Sequence, residues 1–230
     1  MARHEAAPIT AGKTIAWARY YDVVVAILTR GRARAMREAT VDLAGIAPGE
    51  VVLDVGCGTG EVAMAARRRL GPAGQVYGID AAPQMIAVAR RKAERKRLAI
   101  DYRVAAVEAL PFPEGTFDVV TSSLMMHHLP SDLQRKGLAE MYRVLKPGGR
   151  LLVVDFKPTT RQRGHFALPL LVHRHRHDSA HSPHQAHDPS TLVEAAGFVD
   201  VEMGETAFSF LGFVRGRVPE QGSGAAHATL

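Results

Sequence analysis

Cysteine is almost absent from this sequence. Cys57 is the only cysteine among 230 residues, so no disulfide can form within the chain, and we expect a protein of the reducing cytoplasm. Long apolar runs are lacking as well, because the longest near the N-terminus, Val23 to Leu28, is too short for a membrane span or the core of a signal peptide. A content of 47% apolar and 23% charged residues is ordinary for a globular core.

Basic residues are in excess and unevenly spread. The formal net charge is +6, with Arg67 to Arg69 ending one predicted helix and six basic residues crowding the next between Arg90 and Arg97. A solvated helix face is the preferred interpretation, because the helix dipole favours cations late in a helix. Peripheral contact with an anionic membrane stays an alternative. No aromatic residues interleave with the basic ones, so we expect no nucleic-acid partner.

Hydrophobic periodicity predicts alternating strands and helices. A helical pattern covers residues 13–44. Strands are predicted near 51–55, 75–79, 100–104, 118–122, 150–155, 198–203 and 207–215. The alternation implies a parallel sheet covered on both faces. The last two strands, parted by Gly204 and Glu205, predict an antiparallel hairpin at the sheet edge.

A strand, a glycine-rich loop and a helix follow one another in the segment VVLDVGCGTG and its sequel. The apolar run ends in Asp54, and Gly56, Gly58 and Gly60 come next at a spacing of two. Glycine removes the Cβ and allows φ angles that other residues avoid, so backbone can come close to a ligand. Units of this kind bind nucleotide-like ligands at the carboxyl ends of parallel strands.

Asp80 ends the second predicted strand, where its carboxylate can accept hydrogen bonds from ribose hydroxyls. This fits a nicotinamide dinucleotide or S-adenosylmethionine (SAM). The glycine spacing departs from G-x-G-x-x-G, and Asp54 and Glu61 would repel a pyrophosphate at the helix N-terminus. SAM carries no phosphate, and Asp54 can attract its ammonium group. The electrostatics therefore favour SAM.

Further motifs resemble those of the class I SAM-dependent methyltransferases, in particular the ubiquinone/menaquinone-biosynthesis C-methyltransferases. The matching segments are VLDVGCGTG (52–60), GID (78–80), ALPFPEGTFDVV (109–120), MMHHL (125–129), RVLKPGGRLLVVDF (143–156) and EAAGF (194–198). The resemblance implies a Rossmann-like α/β fold, with a seven-stranded, mainly parallel sheet whose last strand is antiparallel. It also implies methyl transfer from SAM, with S-adenosylhomocysteine as the product.

The domain boundaries follow from this resemblance. We expect an N-terminal helical cap over 1–45 and a SAM-binding methyltransferase domain over 46–218, with a histidine-rich insert at 161–188. Residues 219–230 are small and polar and predict a disordered tail.

The resemblance also assigns the cofactor contacts. The glycine loop is expected to hold the methionine part of SAM, the acid at the second strand the ribose, and small or apolar residues the adenine. The predicted residues are Asp54, Gly56, Cys57, Gly58, Gly60, Asp80, Ala81, Met85, Ala106, Val107, Ser122 and, on a helix that covers the cofactor, Tyr21 or its neighbour Tyr20. Cys57 is interpreted as a small packing residue rather than a reactive thiol.

One expected acid is missing. The family carries a Gly-Asp-Ala segment whose acid hydrogen-bonds the adenine amino group, and Ala105, Ala106 and Val107 stand there in this chain. Losing that hydrogen bond costs about 1–3 kcal/mol of binding free energy. Backbone at Val107 is expected to serve the ring edge instead.

Three residues are candidates for the chemistry. His127 and His128 follow the fourth predicted strand and Asp155 ends the fifth, at the sheet edge where the methyl group would lie. A carbon or hydroxyl acceptor must lose a proton, which calls for a base. His128 is preferred by its position in the motif, and a packing or capping role for both histidines is the alternative.

Histidine is concentrated in the segment between Lys157 and Asp188, which holds seven of the 11 in the chain. His173, His175 and His177 would share one side of a strand, as metal ligands require. Arginines interleave with them and no acid cluster offsets the charge, so no metal site is predicted. A pH-sensitive loop and a basic lid over the acceptor remain the interpretations, with the apolar run Phe166 to Val172 as one wall of the acceptor pocket.

The predicted function is methyl transfer from SAM to a small apolar or aromatic acceptor, such as a quinone precursor or a secondary metabolite. Two alternatives stay open. A phospholipid amine is suggested by the basic charge and the apolar segment, and a non-catalytic SAM-fold binding protein is suggested by the missing adenine-binding acid.

Overall fold

The computed structural model describes residues 31–157 and 188–220. The predictions for Tyr20, Tyr21, the histidine-rich insert before Asp188 and the tail after residue 220 lie outside the described residues.

Helices and strands alternate through the described part of the chain. In order, they are α1 (Ala33–Leu43), β1 (Val51–Val55), α2 (Glu61–Leu70), β2 (Gln75–Asp80), α3 (Pro83–Arg95), β3 (Asp101–Val104), β4 (Phe117–Ser123), a 3₁₀ turn (Met126–His128), α4 (Ser131–Val144), β5 (Leu145–Phe156), α5 (Pro189–Ala195), β6 (Val199–Glu205) and β7 (Leu211–Arg217).

The strands form one seven-stranded sheet in the order β3-β2-β1-β4-β5-β7-β6. Strands β1 to β5 pair in parallel, and β7 is antiparallel to both of its neighbours. This confirms the predicted Rossmann-like α/β fold with an antiparallel last strand. The β6–β7 hairpin lies at the sheet edge, where β6 is the edge strand and β7 lies between β5 and β6.

Two strand boundaries were predicted wrongly. Gly204 and Glu205 belong to β6, and β7 begins only at Leu211, because Thr206 closes the turn by donating from its backbone N and its Oγ1 to the carbonyl oxygen of Leu211, each at 3.2 Å. β5 begins at Leu145 rather than 150, because Gly148 donates to the carbonyl of Val218 at 3.0 Å and so extends the pairing past β7.

Apolar side chains cover both faces of the sheet. Along β1, Val52 joins the core beneath the first three helices, and Leu53 joins the core beneath α4 and α5. Both residues are fully buried, as expected for a parallel strand covered on both faces. The carboxyl ends of β1, β2, β4 and β5 consequently meet along one edge of the sheet, where the candidate site lies.

The basic residues of α2 and α3 are partly or largely exposed, as the solvated-face interpretation expects, with the exception of Lys92. Lys92 is only 9% exposed, and its Nζ donates to Glu61 Oε1 at 2.9 Å. Arg68 and Arg69 reach across to Glu38 and Asp42. The Lys92–Glu61 pair links α3 to α2, and the other two ion pairs link α2 to α1.

Candidate active site

Tyr102 packs against the inner side of the glycine loop between β1 and α2. Gly60 has φ 81°, and a Cβ there would collide with the ring and hydroxyl of Tyr102. The Tyr102 hydroxyl donates to the Gly60 carbonyl at 3.0 Å. A Cβ at Gly58 would meet nothing within 4 Å. The loop is therefore held tightly on its inner side and open at Gly58, where a ligand can approach its backbone.

An open cleft of about 450 Å³ lies over this loop. Helix α1 forms one wall, and the residues after β4 form another. The lining residues are Met36, Arg37, Asp54, Gly56, Cys57, Gly58, Thr59, Glu61, Val62, Ser123 and Leu124.

Asp54 is buried at the base of the cleft, with only 2% of its surface exposed. Its Oδ1 accepts from the Thr121 hydroxyl at 3.0 Å, and its Oδ2 has no hydrogen-bond partner among the described residues. Burial raises the pKa of Asp54 to about 7, and the Thr121 hydrogen bond together with the nearby backbone N–H of Ala63 offsets this only in part. An unpartnered acid oxygen in a cleft fits the ammonium group of SAM, which would supply both a donor and a positive charge.

Asp80 joins the loop to the tip of β2. Its Oδ2 accepts from the Gly58 backbone N at 2.9 Å, and its Oδ1 accepts from the Ala82 N at 2.8 Å. Desolvation raises the pKa of this carboxyl above its usual value. Each oxygen retains acceptor capacity, so the predicted contact with the ribose is compatible with the geometry and stays a prediction.

The residues predicted to hold adenine lie beside β3. Ala81 is partly exposed, and Met85 is buried in a small cluster with Ala82 and Val88. The Val107 side chain packs against Gly137 of α4, which leaves its backbone as the group for a ligand. Ala106 is buried and apolar, as the missing acid implies. The adenine contacts themselves stay predictions.

Glu108 was not singled out from the sequence. It follows Ala106 by two residues, and its Oε2 is buried without a hydrogen-bond partner among the described residues.

Of two further predicted contact residues, Cys57 lines the cleft and Ser122 does not. Cys57 lines the cleft and is 9% exposed, and burial raises the pKa of its thiol well above the usual value, which disfavours a reactive thiolate. Ser122 is fully buried and is not among the lining residues of the cleft, whereas its neighbour Ser123 is. The contact of Ser122 with the cofactor stays a prediction.

His127 and Asp155 form a hydrogen-bonded pair between the 3₁₀ turn and the end of β5. His127 Nδ1 lies 2.6 Å from Asp155 Oδ1, and the His127 backbone N donates to Asp155 Oδ2 at 3.0 Å. An ionised carboxylate only accepts, so Nδ1 carries the proton and Nε2 keeps a free lone pair. The His127 side chain is 33% exposed and can therefore be reached from solvent.

The three residues predicted for chemistry are thus close together, and the geometry favours His127 over His128. The His128 ring lies 3.9 Å from the His127 ring, centroid to centroid, and Phe156 packs against His127 edge to face at 4.9 Å. Asp155 contacts His127 and orients it. The preference for His128 rests on its position in the motif, and the choice of base stays a prediction, for which the Asp155 contact makes His127 the better-oriented candidate.

Within residues 31–157 and 188–220, no group of three histidine, cysteine or acidic side chains is arranged to hold a metal ion. The same ranges contain no helix with the length and apolar character of a membrane span. The cytoplasmic location and peripheral membrane contact stay predictions.

Comparisons with known proteins agree with this geometry. A family profile described as a methyltransferase domain matches residues 52–149. A demethylmenaquinone methyltransferase of Thermus thermophilus is 40% identical over 156 residues, which cover 68% of this chain and 69% of that protein. The chain belongs to the class I SAM-dependent methyltransferases of the ubiquinone/menaquinone type. SAM is the cofactor of this family, and the cleft of this methyltransferase fits it.

Other relatives agree over a smaller share of their length. The ubiquinone/menaquinone biosynthesis C-methyltransferase UbiE of Hydrogenovibrio crunogenus is 36% identical over 143 residues, covering 61% of this chain and 56% of that protein. This methyltransferase therefore spans a little over half of the length of that relative.

Solved structures share the fold. A SAM-dependent methyltransferase from Aquifex aeolicus superposes with a TM-score of 0.60 at 23% identity, covering 79% of this chain and 89% of that one. The [4+2]-cyclase SpnF superposes with a TM-score of 0.62 at 19% identity, covering 82% of this chain and 81% of that one. At these identities the similarity concerns the fold alone, and the cyclase illustrates that this fold hosts more than one chemistry.

Proposed function

We propose that the protein transfers the methyl group of SAM to a ring carbon of a small hydroxylated aromatic acceptor, of the quinone-precursor kind. The observation that carries this proposal is the His127–Asp155 pair, which offers a proton acceptor at the sheet edge that also holds the donor cleft. The printed name of the Thermus relative, demethylmenaquinone methyltransferase, supports an acceptor of this class.

Residues of the cleft would hold the donor. Asp54 offers its free oxygen to the ammonium group, the open backbone at Gly58 suits the methionine chain, and Asp80 suits the ribose. When bound, SAM supplies an electrophilic methyl group, whose bond to sulfur breaks as the bond to the acceptor carbon forms. The protein needs to hold the acceptor in line with that bond, because positioning supplies much of the acceleration.

His127 handles the proton of the acceptor. Its Nε2 takes the proton from an acceptor hydroxyl, which raises the electron density of the ring. After methylation the ring loses its carbon-bound proton to solvent, and the oxygen regains the proton held by His127. Asp155 is a positioning residue, because it fixes the tautomer and orientation of His127 through the 2.6 Å contact. This arrangement favours a phenolic or carbon acceptor over an amine, since a neutral amine attacks the methyl group without such a base.

Apolar surface beside His127 suits an aromatic acceptor. Phe156 is 50% exposed and Phe210 is 41% exposed, with ring centroids 6.2 Å apart. Large exposed aromatic rings next to a polar pair are typical of small-molecule sites, where apolar walls carry a few oriented polar groups.

An assay with a panel of acceptors tests the proposal. The full chain is incubated with methyl-labelled SAM and, separately, with demethylmenaquinol, catechol or phosphoethanolamine, and the products are identified by mass spectrometry. We expect carbon-methylated product from demethylmenaquinol and none from phosphoethanolamine. Methylation of the amine alone would contradict the proposal. Binding of SAM without transfer to any acceptor in the panel would favour the non-catalytic alternative.

A further inference from the structure

Arg37 is the only basic side chain among the described residues that line the donor cleft. It lies on α1, half-buried, beside the buried Met36. In the described part of the chain Arg37 makes no hydrogen bond and no ion pair. The guanidinium of Arg37 is therefore a basic group of the cleft that no described acceptor occupies, and guanidinium groups are well suited to bind carboxylates.

The acids near Arg37 are already engaged by other cations. Glu38 faces Arg34 at 4.0 Å and Arg68 at 3.9 Å. Asp42 pairs with Arg69. Glu61, in the cleft itself, pairs with Lys92 at 2.9 Å and Lys96 at 4.0 Å. No acid of the described chain therefore neutralises Arg37.

The same ion pairs hold Arg37 in place. Helix α1 is fastened to α2 through Glu38 and Asp42, and its buried face includes Met36 and Thr40. Helix α2 begins directly after the glycine loop. Arg37 thus stands on a helix whose buried face packs against the core beside the glycine loop.

The cleft accordingly offers two side-chain groups without a hydrogen-bond partner in the described chain, one an acceptor and the other a donor. Asp54 Oδ2 lacks a donor, and the Arg37 guanidinium lacks an acceptor. A ligand that matches both must carry a cation and an anion, as the α-ammonium and α-carboxylate groups of an amino acid do. We propose that Arg37 binds the α-carboxylate of the methionine part of SAM while Asp54 binds its ammonium group. This inference rests on SAM as the donor and adds α1 to the donor site.

Selectivity follows from this arrangement. A guanidinium and a carboxylate make charge-assisted, often bidentate hydrogen bonds. Decarboxylated SAM keeps the sulfonium, the ammonium and the adenosine, and lacks only the anion. It would leave Arg37 unpaired and facing an added positive charge. The cleft should therefore prefer SAM over its decarboxylated analogue.

Calorimetric titration of the full chain with SAM and with decarboxylated SAM tests the inference. Arg37→Gln is expected to weaken SAM binding by roughly 10- to 100-fold and to leave binding of the decarboxylated analogue unchanged or tighter, since a repelling cation is removed. Arg34→Gln is the matched control, because it removes the same charge from the same helix at a side chain that is 88% exposed. Arg37→Lys should restore part of the lost affinity, and melting without ligand checks that each variant folds.

The outcomes separate this inference from the proposed function. Equal losses for both ligands in Arg37→Gln, or no loss for SAM, would overturn the role of Arg37 alone. If the unaltered protein binds no SAM, the donor assignment and this inference fail together. Arg37-dependent SAM binding without methyl transfer to any acceptor supports the inference and counts against the proposed function.

Discussion

Among single residues, Asp54 combines almost complete burial with an acid oxygen that has no partner in the described chain. Its pKa of about 7 means that the folded protein holds this proton far more tightly than the unfolded chain, whose value is 3.8. The protonated form therefore favours folding. Its contribution is fully present below pH 3.8 and is lost as the pH rises towards 7.

A pH series on Asp54→Asn should reveal this loss. Relative to the variant, the free energy of unfolding of the unaltered protein should fall by about 4 kcal/mol between pH 4 and 7. Chemical denaturation at each pH measures the difference, and using the difference cancels the titration of the other acids. A constant offset between the two proteins across this interval would show that Asp54 titrates normally.

SAM binding should follow the opposite trend with pH. The ammonium group attracts the ionised carboxylate, so the affinity of the unaltered protein should rise as the pH approaches 7, with a proton released on binding. In Asp54→Asn the affinity should be weaker and should lack this dependence on pH. Titration in buffers of different ionisation enthalpy counts the proton.

His127 and His128 can be separated by matched substitutions. His127→Asn should lower kcat by roughly 100- to 10,000-fold, the usual contribution of a general base, while SAM affinity is retained. His128→Asn should keep most of the activity, because the described contact with Asp155 belongs to His127. A larger loss in His128→Asn than in His127→Asn would contradict the assignment of the base.

The sequence predicts these residues unequally well. Asp54 and Asp80 can be found because each ends an apolar strand beside a glycine loop. The choice between His127 and His128 cannot be made locally, because it depends on where a carboxylate 28 positions away along the chain comes to lie. Arg37 gives no signal at all among 29 basic residues, since its unpartnered state depends on which neighbours bind the nearby acids.

At the scale of single elements, the glycine loop depends on space as well as on backbone conformation. Gly60 and Gly49 both have φ above 80°. A Cβ at Gly60 would lie 2.7 Å from Tyr102 Cζ and 3.0 Å from Ala89 Cβ, whereas a Cβ at Gly49 would meet nothing within 4 Å. Substitution at Gly49 therefore measures the cost of left-handed backbone alone, and substitution at Gly60 adds the cost of a steric collision.

Alanine at each position should destabilise the protein to different extents. Gly49→Ala should lower the free energy of unfolding by about 1–2 kcal/mol, the cost of a Cβ in left-handed backbone. Gly60→Ala should lose about 1–3 kcal/mol more, because the packed Tyr102 side must shift. Denaturant unfolding of both variants measures this. Equal losses of unfolding free energy in the two variants would mean that the Tyr102 side chain moves aside at no measurable cost.

Strand boundaries show why local patterns are an incomplete guide. The segment Lys146 to Gly149 has the composition of a turn, yet it belongs to β5, because Gly148 donates to the Val218 carbonyl and Val218 donates to the Gly149 carbonyl. Strand propensity is a property of the segment's own residues, whereas strand pairing also depends on a partner segment elsewhere in the chain.

For the molecule as a whole, ligand binding should raise stability. S-adenosylhomocysteine at 100 times its dissociation constant should add about 2.7 kcal/mol, which raises the melting temperature by roughly 5–10 °C for a chain of this size. NAD should produce no shift, because the glycine spacing departs from the dinucleotide pattern and NAD carries no ammonium group for Asp54. Stabilisation by NAD in place of the adenosyl ligand would contradict the donor assignment.

The overall topology could be predicted because motif order along the chain fixes a known arrangement of strands. The site is harder to predict, because it draws on α1, the glycine loop and the ends of β2, β4 and β5. Contacts between such distant segments depend on packing geometry, which no short window of sequence contains.

Strand β7 is inserted between β5 and β6, and this has a consequence for a chain growing on the ribosome. β5, with Leu151 to Val154 buried, pairs on its outer side with residues 211–217. Until Arg217 has been translated and has left the exit tunnel, that side of β5 presents free backbone groups beside apolar side chains. An unpaired edge of this kind readily joins another chain. Synthesis that stalls before β7 should therefore yield an aggregating product even though His127 and Asp155, the hydrogen-bonded pair at the candidate site, have already been made.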